Sequence, residues 1–126
     1  MQRNLITIIT LTAIAAFVLP ATSFAAGDAT AGKATFDTNC MSCHGPSGKG
    51  DGPLAAALNP KPRDLTSGDF KFDTDKDGKP GTDADIKSVI KQGAAPFGGS
   101  PLMAPWPALS DGDIDNLIAY IRSIQG

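Results

Sequence analysis

The chain has 126 residues, enough for one domain built on a single small core. Its 11 basic and 13 acidic residues leave a formal charge of -2, and a mildly acidic balance argues against a nucleic-acid partner. Two cysteines and one histidine are too few for a structural zinc site, which needs four ligands.

Residues 1–25 are read as a segment apart. Leu5 to Leu19 is an apolar run preceded by Arg3 and followed by Pro20 and Ser23-Phe24-Ala25. Charged start, apolar middle and small-residue end outline a secretory signal peptide, with the cut placed after Ala25. An uncleaved anchor is the rival reading, but the run is shorter than the roughly 20 residues of a spanning helix. No cysteine near the cut offers a lipid attachment point. The expected mature domain, residues 26–126, loses Arg3 and moves to a formal charge of -3. Its expected location is a bacterial-type periplasm, free of the membrane and exposed to oxidation of thiols.

Along that domain the pattern predicts helices separated by long loops. Residues 29–42 carry Ala34, Phe36 and Cys40 at helical spacing, with Cys43 just beyond, after Asp28 or Thr30 as cap. Gly45 to Gly52 is rich in breakers, and Ala55 to Leu58 is a short helical turn ended by Pro60 and Pro62. Residues 64–82 read as irregular, with Phe70-Lys71-Phe72 the one hint of strand. Thr82 or Asp83 caps a helix through Ile86, Val89 and Ile90 that Gly93 closes. Four prolines and three glycines make residues 93–107 a loop. Ser110 caps a last helix with Ile114, Leu117, Ile118, Ile121 and Ile124 on one face.

The chemistry is concentrated in Cys40-Met41-Ser42-Cys43-His44. This is C-x-x-C-H, the pattern that attaches c-type haem: two thiols spaced to reach the vinyl groups on one porphyrin edge, and an imidazole next to them for the iron. A thioredoxin-like dithiol wants a preceding strand in a βαβ context, and none is legible. A plain disulfide leaves His44 unexplained. Composition agrees with haem, since 14 glycines, 10 prolines and eight aromatic residues make a thin core that a buried porphyrin would complete. The apo form is expected to fold poorly.

With these residues in view, residues 27–126 resemble the class I c-type cytochromes, most closely the small bacterial monohaem domains. The resemblance rests on CMSCHGPSGKGDGP, on the later KPRDLTSGDFKF, and on a methionine-and-proline loop with tryptophan. Gly32 and Phe36 look like that family's small and aromatic residues on the first helix, and Leu117 and Tyr120 like the pair that packs across them. The resemblance implies an all-α fold, three to five helices with long loops wrapped around one haem held covalently by Cys40 and Cys43. It also implies His44 and Met103 as iron ligands. Met103 is where the family places its distal methionine, while Met1 leaves with the signal segment and Met41 lies between the anchoring cysteines; the plain alternative for a lone methionine is core filling. Pro53 matches the family's proline whose carbonyl accepts the proximal imidazole N–H, with Leu54 packing on the ring. Trp106 and Phe97 stand either near the haem edge, Trp106 as a propionate donor, or as ordinary apolar cover. Arg63 is matched to a propionate, with Lys61 its rival.

Asp73, Asp75, Asp77 and Gly78 repeat the first half of an EF-hand loop. Ala84 stands where the bidentate glutamate is required and Pro80 where an apolar residue is usual, so a solvated turn is favoured over calcium. The expected function is a monomeric periplasmic one-electron carrier, not an enzyme, docking transiently with redox proteins through the haem edge. The alternatives are an open-site haem protein for small-ligand sensing or peroxidase-like chemistry, or a cytochrome subunit of a larger redox complex. Loop 93–107 has no histidine or arginine, which weighs against peroxidase chemistry.

Overall fold

A computed structural model describes residues 26–126; the expected signal peptide lies outside the described residues. Four α-helices are present among them: α1 (Ala29–Asn39), α2 (Met41–His44), α3 (Asp83–Gln92) and α4 (Asp111–Ser123). Single 3-10 turns occur at Ala55–Ala57 and Ala95–Phe97. No strand occurs among the described residues, and Phe70 to Phe72 is irregular chain that turns its aromatic rings inward instead of pairing.

Each long helix begins where a side-chain oxygen can take the amides its first turn leaves over. The Asp28 carboxylate accepts from the N–H groups of Thr30 and Ala31 at 2.8 and 3.3 Å. Thr82 with Asp85, and Ser110 with Asp113, form reciprocal capping boxes on α3 and α4. The first helix is shorter than its apolar spacing predicts. It ends at Asn39, and Cys40 is a junction residue after which α2 starts afresh.

The frame is the packing of α1 on α4. Gly32 makes it possible, because a Cβ there would overlap the backbone carbonyl of Asn116. The Asn116 side chain in turn accepts the Asp28 N–H at 2.7 Å. With the backbones that close, Phe36 and Tyr120 meet with ring centroids 5.1 Å apart and planes tilted by 55°. Phe36, Ile114 and Leu117 are all but fully buried, and burying each such side chain contributes roughly 1.5–3 kcal/mol. Ile86 and Ile90 of α3 and Leu65 of the intervening loop join the same core.

Arg122 ties the α4 end of the frame to the long loop. Its Nε donates to Asp83 Oδ1 at 2.8 Å and its Nη2 to the Gly81 carbonyl at 2.7 Å, while the guanidinium lies 5.5 Å from the centre of the Phe70 ring. Phe70 is thereby held at the wall of the central cavity. No helix among the described residues is long and apolar enough to cross a membrane.

Candidate functional site

The Cys40 to His44 segment is positioned by the glycine-rich loop that follows it. The last carbonyls of a helix lack intrahelical partners. Here the loop returns to supply them: Leu54 N–H donates to the Ser42 carbonyl at 3.0 Å, Gly52 N–H to Cys43 at 3.1 Å and Gly50 N–H to His44 at 2.7 Å. The same loop then receives the next segment, since Leu65 N–H donates to the Gly48 carbonyl at 2.7 Å. That bond brings the backbone of Arg63 beside the imidazole.

His44 Nδ1 lies 3.0 Å from the carbonyl oxygen of Arg63. A carbonyl only accepts, so Nδ1 carries the proton and Nε2 is the nitrogen with a lone pair. Burial pushes the imidazole below its ordinary pKa, and the Arg63 carbonyl only partly offsets this. A neutral ring with a fixed tautomer is the form a metal ligand needs.

This corrects the assignment of the carbonyl to Pro53. Pro53 is exposed, and the turn it occupies is spent on closing the end of α2. Leu54 is 54% exposed and, like Pro53, is not among the residues that line the cavity. The role expected of Pro53 passes to the backbone of Arg63, a residue singled out for its guanidinium.

Cys40, Cys43 and His44 open onto a cavity of about 670 Å³, within the roughly 300–1,000 Å³ usual for cofactor sites. Leu65, Phe70 and Phe72 contribute from the long loop, Ile86, Val89 and Ile90 from α3, and Leu117 and Ile121 from α4. Met103 and Trp106 come from the proline-rich loop, and Lys61 and Arg63 are exposed at the wall. Six of the expected residues therefore meet in one cavity: Cys40, Cys43, His44, Arg63, Met103 and Trp106. Phe97 does not line it; its ring supports Phe72, which does, at a centroid distance of 6.5 Å.

Cys40 and Cys43 are not joined to each other. Burial, reinforced by the neighbouring Cys43, pushes the Cys40 thiol up to about 11, so it is protonated at neutral pH. A reactive dithiol or thiolate metal site wants the opposite shift. Two unjoined thiols, that of Cys40 held neutral by burial, one imidazole with Nδ1 engaged, and apolar walls are together the donor set and setting that fit a covalently attached haem.

Sequence reasoning missed Phe70 and Phe72 as cavity walls. Aromatic residues two apart in an otherwise breaker-rich, charged segment were the available signal. It also missed Asp85, which lines the cavity at 1% exposure. Asp85 Oδ1 accepts from the N–H and hydroxyl of Thr74 at 2.6 and 2.8 Å, and Oδ2 from those of Thr82 at 2.9 and 2.8 Å. Burial alone would raise its pKa; the four donors outweigh burial and pull it down to about 2.

The acidic segment closes on itself. Carboxylate oxygens of Asp73, Asp75 and Asp85 lie within 4.8 Å of one another, and Asp77 is not in the group. Asp73 accepts from the N–H groups of Asp77 and Gly78, Asp75 also from Asp77, and Asp77 from Lys79. These are the local bonds of an aspartate-rich turn.

An all-α frame around a C-x-x-C-H cavity with a half-buried imidazole defines a haem-binding electron-transfer protein of the c type. Comparison with known proteins carries this further: the family described as Cytochrome c matches residues 29–125. The chain is 43% identical over 105 residues to cytochrome c-554(547) of Halothiobacillus neapolitanus, covering 79% of this chain and all of that one. Among solved structures it resembles a chain of the reducing HAO-like protein complex of Kuenenia stuttgartiensis, with a TM-score of 0.62 and 34% identity over 75% of this chain. It spans 41% of that longer chain. The protein belongs to the cytochrome c family: it carries covalently bound haem c and is an electron carrier.

Proposed function

We propose that the protein is an exported, monomeric one-electron carrier in which His44 and Met103 are the two axial ligands of the haem iron. The observation that carries this reading is that Met103 lines the same cavity as Cys40, Cys43 and His44. Among the described residues the only other methionine, Met41, is 36% exposed and does not line it. Bound there, haem iron supplies one-electron exchange between its ferric and ferrous states, and a thioether ligand favours the ferrous one.

The chain's own part is to hold and insulate. The Arg63 carbonyl holds the His44 proton on Nδ1 and so aims Nε2 inward. Ile86, Ile90, Leu117 and Ile121 keep water from the cavity walls. With His44 and Met103 both engaged, no open ligand position would remain for a substrate, which supports a carrier rather than an enzyme. A redox partner would dock transiently near the cavity mouth, where Leu102, next to Met103, is 55% exposed. Export to the periplasm follows from reading residues 1–25 as a cleaved signal peptide.

The test is the visible spectrum of the holoprotein in both redox states beside a Met103→Ala variant. A low-spin ferric form with a methionine-to-iron charge-transfer band that the variant loses supports the reading. A wild type that is high-spin, or that binds carbon monoxide readily, overturns the ligand assignment and favours an open-site haem protein.

A further inference from the structure

The C-terminal turn of α3 grips the Met103 loop through backbone atoms. The N–H of Ala94, just past the helix, donates to the Met103 carbonyl at 3.1 Å. Three residues along the loop, the N–H of Trp106 donates to the Ile90 carbonyl at 2.9 Å, taking up one of the carbonyls left over at the helix end. Met103 is also held from its amino side, its N–H donating to the Ser100 carbonyl at 3.1 Å.

Gly93 lets these strands of chain come together. Its φ of 77° is in the region that glycine favours, and a Cβ there would lie 2.8 Å from the Met103 carbonyl oxygen and 3.1 Å from Pro105 N. Both are backbone atoms and cannot swing aside as a side chain would. Gly93 and Ala94 are nonetheless ten and nine residues from Met103 in sequence, and neither is a ligand.

We propose that Gly93 and Ala94 are positioning residues for the axial methionine: the C-terminal turn of α3 fixes the Met103 backbone so that only side-chain torsions remain to place its sulfur. This rests on the assignment of Met103 as a ligand. A thioether is a neutral, replaceable ligand, so its hold depends on being placed in advance, before the bond forms. Forcing the two backbones apart transfers overpacking strain to that bond.

The test compares holoprotein variants Gly93→Ala and Gly78→Ala, read by the methionine-to-ferric-iron band and by titration with imidazole. Gly78 also has a positive φ, 85°, but a Cβ there meets nothing within 4 Å and the residue does not line the cavity, so its variant carries a positive-φ substitution without the contact. Gly93→Ala is expected to weaken the band and tighten imidazole binding by about tenfold or more, with Gly78→Ala close to wild type. Equal effects in the two variants, or an unchanged band in a folded Gly93→Ala protein, overturn the proposal. A wild type without the band fails at the earlier step, the ligand assignment itself.

Amide hydrogen exchange on the wild type needs no variant to fold. Displacing Met103 with imidazole should leave exchange at Ala94 and Trp106 slow, because both amides are held through backbone atoms whether or not the sulfur is bound. Loss of protection at Ala94 on displacement would show that the iron bond holds the loop rather than α3, and overturns the proposal.

Discussion

The imidazole of His44 is held by the backbone of Arg63, with Nδ1 3.0 Å from its carbonyl oxygen. The contact depends on where the chain runs, through Leu65 N–H on the Gly48 carbonyl, and not on the Arg63 side chain. Arg63 is exposed at the cavity wall, and Arg63→Ala keeps the backbone carbonyl that holds the imidazole. Arg63→Ala should therefore keep the low-spin spectrum and change stability by no more than about 0.5 kcal/mol in urea unfolding. A larger loss would show that the guanidinium carries the interaction.

Gly32 and Gly112 predict opposite responses to the same substitution. Gly32→Ala pushes a Cβ into the Asn116 backbone across the α1 and α4 contact and should cost about 1–3 kcal/mol. Gly112 sits in the first turn of α4 with only the Ser110 hydroxyl within 4 Å of a built Cβ. Gly112→Ala should stabilise by up to about 1 kcal/mol, through lower backbone entropy in the unfolded chain. Guanidinium unfolding of both holoproteins checks the pair, and equal signs would contradict the packing described.

Asp85 is the buried charge on which the start of α3 depends. Its pKa lies below the unfolded value, so its contribution is complete above about pH 4 and is lost as pH falls through about 2. The shift from 3.8 to about 2 corresponds to roughly 2 kcal/mol. Asp85→Asn should cost about 2–3 kcal/mol near neutral pH, because charge-assisted bonds become neutral and one face of the group turns from acceptor to donor. The measurement is unfolding free energy against pH for both proteins. The gap between them should narrow toward pH 2; a constant gap would show that Asp85 acts by shape and not by charge.

Calcium should leave the protein unmoved. Asp73, Asp75 and Asp77 already accept the loop's own amides, and both oxygens of Asp85 are occupied by the threonines. Adding calcium to chelator-treated holoprotein should give the same Tm as chelator alone. A rise that Asp75→Asn abolishes would establish a structural site.

The capped helices were legible because their signals are local: Thr82 and Ser110 each stand three residues before an aspartate that completes the box. The helix break at Cys40 was not, since apolar spacing continues smoothly from Phe36 through Cys43 while the backbone does not. Phe70 and Phe72 carry no period of their own, and only the cavity shows what they cover. For Asp85 the capping role was in reach of pattern reasoning, but its burial depends on Thr74, eleven residues upstream in a loop with no regular structure.

What the sequence determined by itself is the chemistry: two thiols and an imidazole within five positions, a frame of capped amphipathic helices, and Met103 as the methionine available downstream. Tertiary structure alone decided which groups surround that chemistry. The carbonyl on His44 comes from Arg63 and not Pro53, and the grip on Met103 comes from Gly93 and Ala94, because backbone groups of every residue type are alike and only the path of the folded chain selects between them.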